Sequence, residues 1–368
     1  MSRPARRPGA LLGLGAVLAG AVGVAIGLGI GLPWLAKDGV SVVSVAALAA
    51  LLGGLVLVAA GAVAVVRRVP GWWRLLAVPA LLVLAVLVVY PVGIALAATV
   101  VAPTAVGDRT PADVGLAYED VRVTAADGVV LAGWYVPADG GAAVVLRHGA
   151  GSTRTAVLDH AVVLARAGYG VLMLDARGHG DSTGRAMDFG WYGDADITAA
   201  VSALAKRPDV DEGRIAVVGL SMGGEEAIGA GAADPRVAAV VAEGATNRTA
   251  ADKAWLPEEY GLQGRLQVGL DRLTYGLADL LTPASPPTPL RDAVVAMAPR
   301  PVLLVAGGAV PDEVDTAERL AAAAPDRVVV WVAPGSGHVR ALDDHPEEWA
   351  AQVTGFLDTA FATASAVR

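Results

Sequence analysis

Residues 214–233 read Arg214-Ile-Ala-Val-Val-Gly-Leu-Ser221-Met-Gly-Gly-Glu-Glu-Ala-Ile-Gly-Ala-Gly-Ala-Ala233. The first half is a short β-branched run of the kind that forms a buried strand, and the second is small-residue and helix-compatible. Strand, tight turn and helix form the setting in which Gly-x-Ser-x-Gly presents a serine hydroxyl at the top of a sheet. A second copy of the pattern, Gly180-Asp-Ser182-Thr-Gly184, lies in a polar loop with no helix behind it and reads as a decoy. Context selects Ser221.

Apolar strands and helical segments alternate around this turn. Val121–Val123 and Val129–Val136 form a hairpin across Ala125-Ala-Asp-Gly128. Further strands are expected at 142–147, 170–174, 215–219, 237–242, 301–305 and 327–332, with helices over 155–167, 194–206 and after Ser221. Eight strands, mostly parallel and separated by helices, predict an α/β sheet covered on both faces. Ligands in such sheets bind beyond the carboxyl ends of the strands. The stretch 246–298 breaks the rhythm and is too long for a simple connection, which predicts a helical lid. Its leucines are spaced for amphipathic helices; a cap on the sheet and a helix lying on a membrane surface are both open.

The first hundred residues are of a different kind. The chain has 368 residues, 55% of them apolar and 17% charged, and the apolar excess is concentrated here. Segments 10–36, 39–66 and 75–107 hold no charge, and each exceeds the ~20 residues that span a bilayer core. Three transmembrane helices are expected, at about 11–35, 41–66 and 75–100, followed by a linker over 103–116 and a catalytic domain over 117–368. A cleavable signal peptide fits poorly, since its apolar core is only ~7–15 residues. Arg3, Arg6 and Arg7 precede the first span, and Arg67, Arg68 and Arg74 separate the second from the third. The positive-inside rule places these basic residues in the cytoplasm and the catalytic domain on the extracytoplasmic side of a cell membrane. The expected spans contain no ionisable residue, which argues against a transport path.

The chain has no cysteine, which excludes disulfides and thiol nucleophiles. Its net charge of −8, with no basic cluster away from the membrane flanks, argues against nucleic-acid binding. No cofactor or metal is expected. Asn247-Arg-Thr249 matches a glycosylation acceptor and carries no weight by itself.

A serine needs a base, and the base needs an orienting acid. Of five histidines, His148 and His179 belong to turns after strands, His160 lies within a helix and His345 precedes Pro346 at a helix start. His338 stands in the glycine loop Ala333-Pro-Gly-Ser-Gly-His-Val-Arg340 after the last strand, the place for a base in the order serine, acid, histidine. The acid is expected after the strand at 301–305, where Asp312, Glu313 and Asp315 all occur. Asp312 is the choice; Glu313 and Asp315 also suit the first turn of a helix, and Glu243 is a further candidate. The oxyanion donors are expected to be the backbone N–H groups of Met222 and Ala150, the latter flanked by Gly149 and Gly151.

From about Tyr118 to Phe361 the chain resembles the serine α/β-hydrolase superfamily, in its esterase-, thioesterase- and peptidase-like branch. The matching residues are His148-Gly149, Asp175-Ala-Arg-Gly-His-Gly180, Gly219–Gly223 and Gly337-His338. The resemblance implies an α/β-hydrolase fold and a membrane-anchored Ser-His-acid hydrolase that cleaves an ester, thioester or amide through an acyl-enzyme. Its substrate would be a small acyl compound, with lipid and peptide as open alternatives. Two features depart from the pattern: the acid turn is two residues longer than usual, and the turn continues as Gly224-Glu225-Glu226. A catalytically inactive tethered binding module is the competing reading.

Overall fold

The computed structural model describes residues 8–185 and 188–366. Arg3, Arg6 and Arg7, which carry part of the orientation argument, lie outside the described residues. The chain divides into two compact units, 1–103 with 256–283, and 104–255 with 284–368.

In the first unit, α1 (Pro8–Ile26), a π-helical turn (Gly27–Gly31) and α2 (Leu32–Asp38) follow one another. Next come α3 (Val42–Val66) and, after a 3-10 turn, α4 (Arg74–Thr99). Three stretches, Gly9–Asp38, Val42–Val66 and Gly71–Thr99, are long and apolar enough to cross a membrane, with mean hydropathy of 2.3, 2.6 and 2.7. Ser41 starts α3 with a reciprocal cap, its hydroxyl accepting from Ser44 N–H while Ser44 Oγ accepts from Ser41 N–H at 2.8 Å. The α1–α3 contact is made by small residues: a Cβ at Gly54 would fall 2.6 Å from Gly20 O, so only glycine allows the two backbones this close. Trp34 Nε1–H donates to Val100 O at 3.0 Å, joining the end of the first apolar stretch to the end of the third.

The second unit is an eight-stranded sheet. Its strands are β1 (Glu119–Thr124), β2 (Val130–Val136), β3 (Ala143–Arg147), β4 (Gly170–Leu174), β5 (Ile215–Leu220), β6 (Val237–Glu243), β7 (Val302–Gly307) and β8 (Val328–Ala333). They are ordered β1-β2-β4-β3-β5-β6-β7-β8, with β2 antiparallel to both neighbours and the rest parallel. Helices α5 (Leu158–Arg166), α6 (Gly193–Leu204) and α7 (Met222–Ala233) follow β3, β4 and β5. After β6 the chain runs through α8 (Leu256–Leu281) and α9 (Leu290–Ala296), and α10 (Pro311–Ala323) connects β7 to β8. Helices α11 (Ala341–Asp344) and α12 (Pro346–Ala366) close the chain.

Alternation along the buried strands divides the core into two layers. Val145 and Val217 face a layer with Ile197, Ile228 and Leu320, whereas Val144 and Val218 face one with Leu158, Trp349 and Phe361. Both faces are thus covered by helices, as continuous β-branched runs require.

The excursion over 246–298, expected as a helical lid, is divided between the two units. Helix α9 buries Leu290, Ala293 and Val294 in the core, and the small surface of α7 admits its neighbour Met297, whose Sδ lies 2.9 Å from where a Gly231 Cβ would be. Helix α8, kinked at Gly261 (φ +54°), groups instead with the apolar helices of the first unit.

Candidate active site

Ser221 stands between β5 and α7 with φ +55° and ψ −126°. A serine in this region is strained, a feature that clusters at functional sites. The turn is so tight that only glycine fits on either side. A Cβ at Gly219 would collide with the Gly223 backbone, and one at Gly223 would lie 2.6 Å from His148 O. Ser221 N–H donates to Glu243 O at 2.7 Å, and Ser221 O starts α7 by accepting from Gly224 N–H at 2.8 Å.

His338 follows β8 and brings Nε2 to 2.9 Å from Ser221 Oγ. Its Nδ1 lies 2.6 Å from Glu313 Oε1. The other carboxylate oxygen, Oε2, accepts from Gly307 N–H at 2.8 Å, so the end of β7 orients the acid. Glu313 is buried while the imidazole is half-exposed. The hydrogen bond to Glu313 raises the pKa of His338 above its ordinary value, and partial burial opposes it. The three side chains form an unbroken relay in which a proton leaving the hydroxyl has an acceptor, and the resulting imidazolium has a counter-charge.

The acid at the imidazole is Glu313, and the choice of Asp312 is corrected. Pro311 occupies the first position of α10, which puts Glu313 at the third, where a long acid reaches back over the helix start. Asp312, one residue earlier, is turned about 100° round the helix and pairs instead with Lys253 Nζ at 2.5 Å. Asp315 lies a further two residues along α10, half-buried and on another face. Glu243 is a support and not the orienting acid, since its carboxylate accepts from Ala341 N–H at 3.0 Å and Trp349 Nε1–H at 2.9 Å. The longer acid turn is thus matched by a longer side chain.

The loop after β3 lies against Ser221. A Cβ at Gly149 would be 3.1 Å from Ser221 Cβ, so the Gly149 backbone passes beside the serine, with Ala150 next in the chain. Met222 opens α7, where backbone N–H groups lack intrahelical acceptors. His148 orders this loop: Nε2 accepts from Ala176 N–H at 2.9 Å and Nδ1–H donates to Gly149 O at 2.8 Å. Burial pulls its pKa down to about 3, which keeps this neutral tautomer.

The remaining sequence candidates have structural partners. Ser182 Oγ accepts from Ala132 N–H of β2 and donates to Asp175 O just past β4, both at 2.9 Å. His160 meets the Trp349 ring edge-on at 5.0 Å. His179 Nδ1 lies 3.1 Å from Arg177 O, and His345 Nε2 2.8 Å from Pro334 O. The acidic pair after the turn also has distinct duties. Glu226 neutralises the buried Arg147 of β3 at 2.6 Å, while Glu225 Oε1 accepts from Thr246 and Asn247 N–H at 3.0 and 2.8 Å. Burial pushes the Glu225 carboxyl up to about 7.

One residue was missed by sequence reasoning. Gly244 has φ +69°, and a Cβ there would lie 3.0 Å from His338 Cε1, so it is the floor on which the imidazole rests. Its position directly after a strand, next to an acid, was the available signal.

Residues 139–270 match the family described as serine aminopeptidase, S33. The uncharacterized protein Rv2307c of Mycobacterium tuberculosis is 34% identical over 228 residues, covering 60% of this chain and 72% of its own length. Polyketide transferase grgF of Penicillium is 36% identical over 134 residues, 33% of this chain and 43% of that protein. Among solved structures, the esterase PF2001 of Pyrococcus furiosus superposes with a TM-score of 0.54 at 27% identity, covering 70% of this chain and 97% of its own.

Proposed function

The chain belongs to the α/β-hydrolase superfamily, and from that premise we propose that it is a membrane-anchored serine hydrolase cleaving an ester or thioester through an acyl-enzyme. The observation that carries this reading is the relay Ser221 Oγ–His338–Glu313, with spacings of 2.9 and 2.6 Å. Ser221 attacks the acyl carbon while His338 Nε2 takes its proton, and Glu313 holds Nδ1–H toward itself and balances the imidazolium charge. The N–H groups of Met222 and Ala150 receive the oxyanion of the tetrahedral intermediate. Collapse expels the alcohol or thiol, protonated by His338, and leaves the acyl group on Ser221. Water, deprotonated by the same imidazole, then attacks the acyl carbon; the bond to Oγ breaks, the carboxylic acid departs and His338 returns the proton to Ser221. The leaving group is read by the surroundings of the triad and not by the triad itself.

A peptidase is the second reading, favoured by the match of residues 139–270 to the aminopeptidase family. A panel of p-nitrophenyl esters, acyl thioesters and aminoacyl amides separates the two. The catalytic assignment itself is tested with a fluorophosphonate probe on the detergent-solubilised protein. Wild type and Ser182→Ala are expected to label and Ser221→Ala to stay dark; labelling that survives loss of Ser221 refutes the mechanism.

Membrane attachment is through the three apolar stretches, and the catalytic unit is proposed to face outward. Arg67, Arg68 and Arg74, in and beside the connection between the second and third stretches, support that orientation. A cysteine at Asp108 in this cysteine-free chain is expected to react with an impermeant maleimide on intact cells, and protection there reverses the orientation.

A further inference from the structure

Helix α8 belongs to the same compact unit as the membrane-crossing stretches and packs on α4. The buried face of α8 carries Gly264, Val268, Thr274 and Ala278, and Gln267 Nε2 lies 3.4 Å from Tyr90 Oη of α4. The opposite face is a row of leucines. Leu262, Leu266, Leu273 and Leu280 are 73%, 62%, 48% and 82% exposed, spaced by four, seven and seven residues. Gly269 and Gly276 fall between them with open space around them. At 100° per residue Arg265, Arg272 and Asp279 lie about 70–110° round from the leucine row, where long side chains reach away from it. A contiguous exposed apolar row of this kind marks an interaction surface.

We propose that this leucine face is covered by lipid acyl chains, making α8 a membrane-seated helix and not a lid exposed to water. The contact with α4 decides for lipid. Tyr90 lies nine residues before Thr99, about 13–14 Å along the helix at 1.5 Å per residue. That depth is well inside a hydrocarbon core ~30 Å thick if the α4 terminus sits at its boundary. The neighbouring α4 surface is itself apolar and open, with Leu82 65% and Val86 54% exposed. A helix bonded at Tyr90 therefore extends a surface that already requires lipid, and its amphipathic pattern turns one apolar face toward acyl chains. The proposal does not rest on Ser221 chemistry.

The chain has no cysteine, so single labels report one position each. Leu266→Cys, Leu273→Cys and Leu280→Cys, each carrying an NBD fluorophore, would be reconstituted in phosphatidylcholine vesicles with and without doxyl-labelled lipid. Glu347→Cys, on the exposed first turn of α12, is the aqueous control. Blue-shifted emission and several-fold stronger doxyl quenching at the three α8 positions than at 347 are expected. Water-like emission with quenching no stronger than the control overturns the proposal. So does blue-shifted emission without doxyl quenching, together with bismaleimide cross-linking of Leu273→Cys into dimers, which would assign the face to a second copy. Three positions keep the test intact if one variant folds poorly.

Discussion

Replacing Glu313 by glutamine removes one negative charge while keeping the shape of the side chain. Its amide oxygen can accept from Gly307 N–H or from His338 Nδ1–H, but the amide nitrogen then faces the other donor, which disfavours the productive tautomer. The carboxylate sits 2.6 Å from Nδ1 and is buried. Taking charge centres about 4 Å apart at an effective dielectric constant near 20, its attraction for the imidazolium of the transition state is about 4 kcal/mol. At about 1.4 kcal/mol per decade this is roughly a thousandfold in rate, and loss of the correct tautomer carries it toward about 10⁴. The assay is kcat against pH on a soluble p-nitrophenyl ester. The base must be neutral, so the wild-type rate rises with pH through the raised pKa of His338. Without Glu313 the plateau falls and the rising limb moves to lower pH. Asp312→Asn is the internal control: a half-exposed partner of Lys253 is worth at most about 1 kcal/mol, about fivefold. Equal losses at the two positions, or a Glu313→Gln enzyme retaining a tenth of its activity, refute the assignment of the acid.

The residues that support the triad give two further tests. Gly244→Ala should fold but lose about tenfold in kcat, because a Cβ at φ +69° costs about 1–2 kcal/mol and presses on His338 Cε1; an unchanged kcat sinks the floor role. His148 contributes a pH-dependent stability whose sign is fixed by its depressed pKa of about 3. Below its unfolded value of about 6.5 the unfolded chain binds the extra proton, so stability falls as pH drops, by up to about 1.4 kcal/mol per unit. Thermal melting at pH 7 and pH 5 should show a smaller acid loss in His148→Gln than in wild type; equal losses contradict it.

Where local pattern dictates structure, the residues were readable. The β-branched runs around Val145, Leu172 and Val217 announce buried strands, and glycines two positions either side of Ser221 announce a turn that admits nothing larger. His338 was legible because its loop is short and glycine-rich. The acid was not, because the choice among Asp312, Glu313 and Asp315 is a question of helix phase, and only the register of α10 against β7 sets it. Pro311, a marker of the first helical position, held part of that information. The placement of the stretch 246–298 was not legible for a related reason. Amphipathic spacing shows that α8 and α9 each have an apolar side, but not which unit receives it.

Glu243 and Gly244 together hold Ser221 and His338. The carbonyl of Glu243 takes the Ser221 N–H, its carboxylate takes the N–H of Ala341 three residues past His338, and Gly244 lies under the imidazole. Ser221 and His338 are therefore referenced to two adjacent residues at the end of β6. Both ends of the 2.9 Å contact between Ser221 and His338 are thus placed against the end of β6.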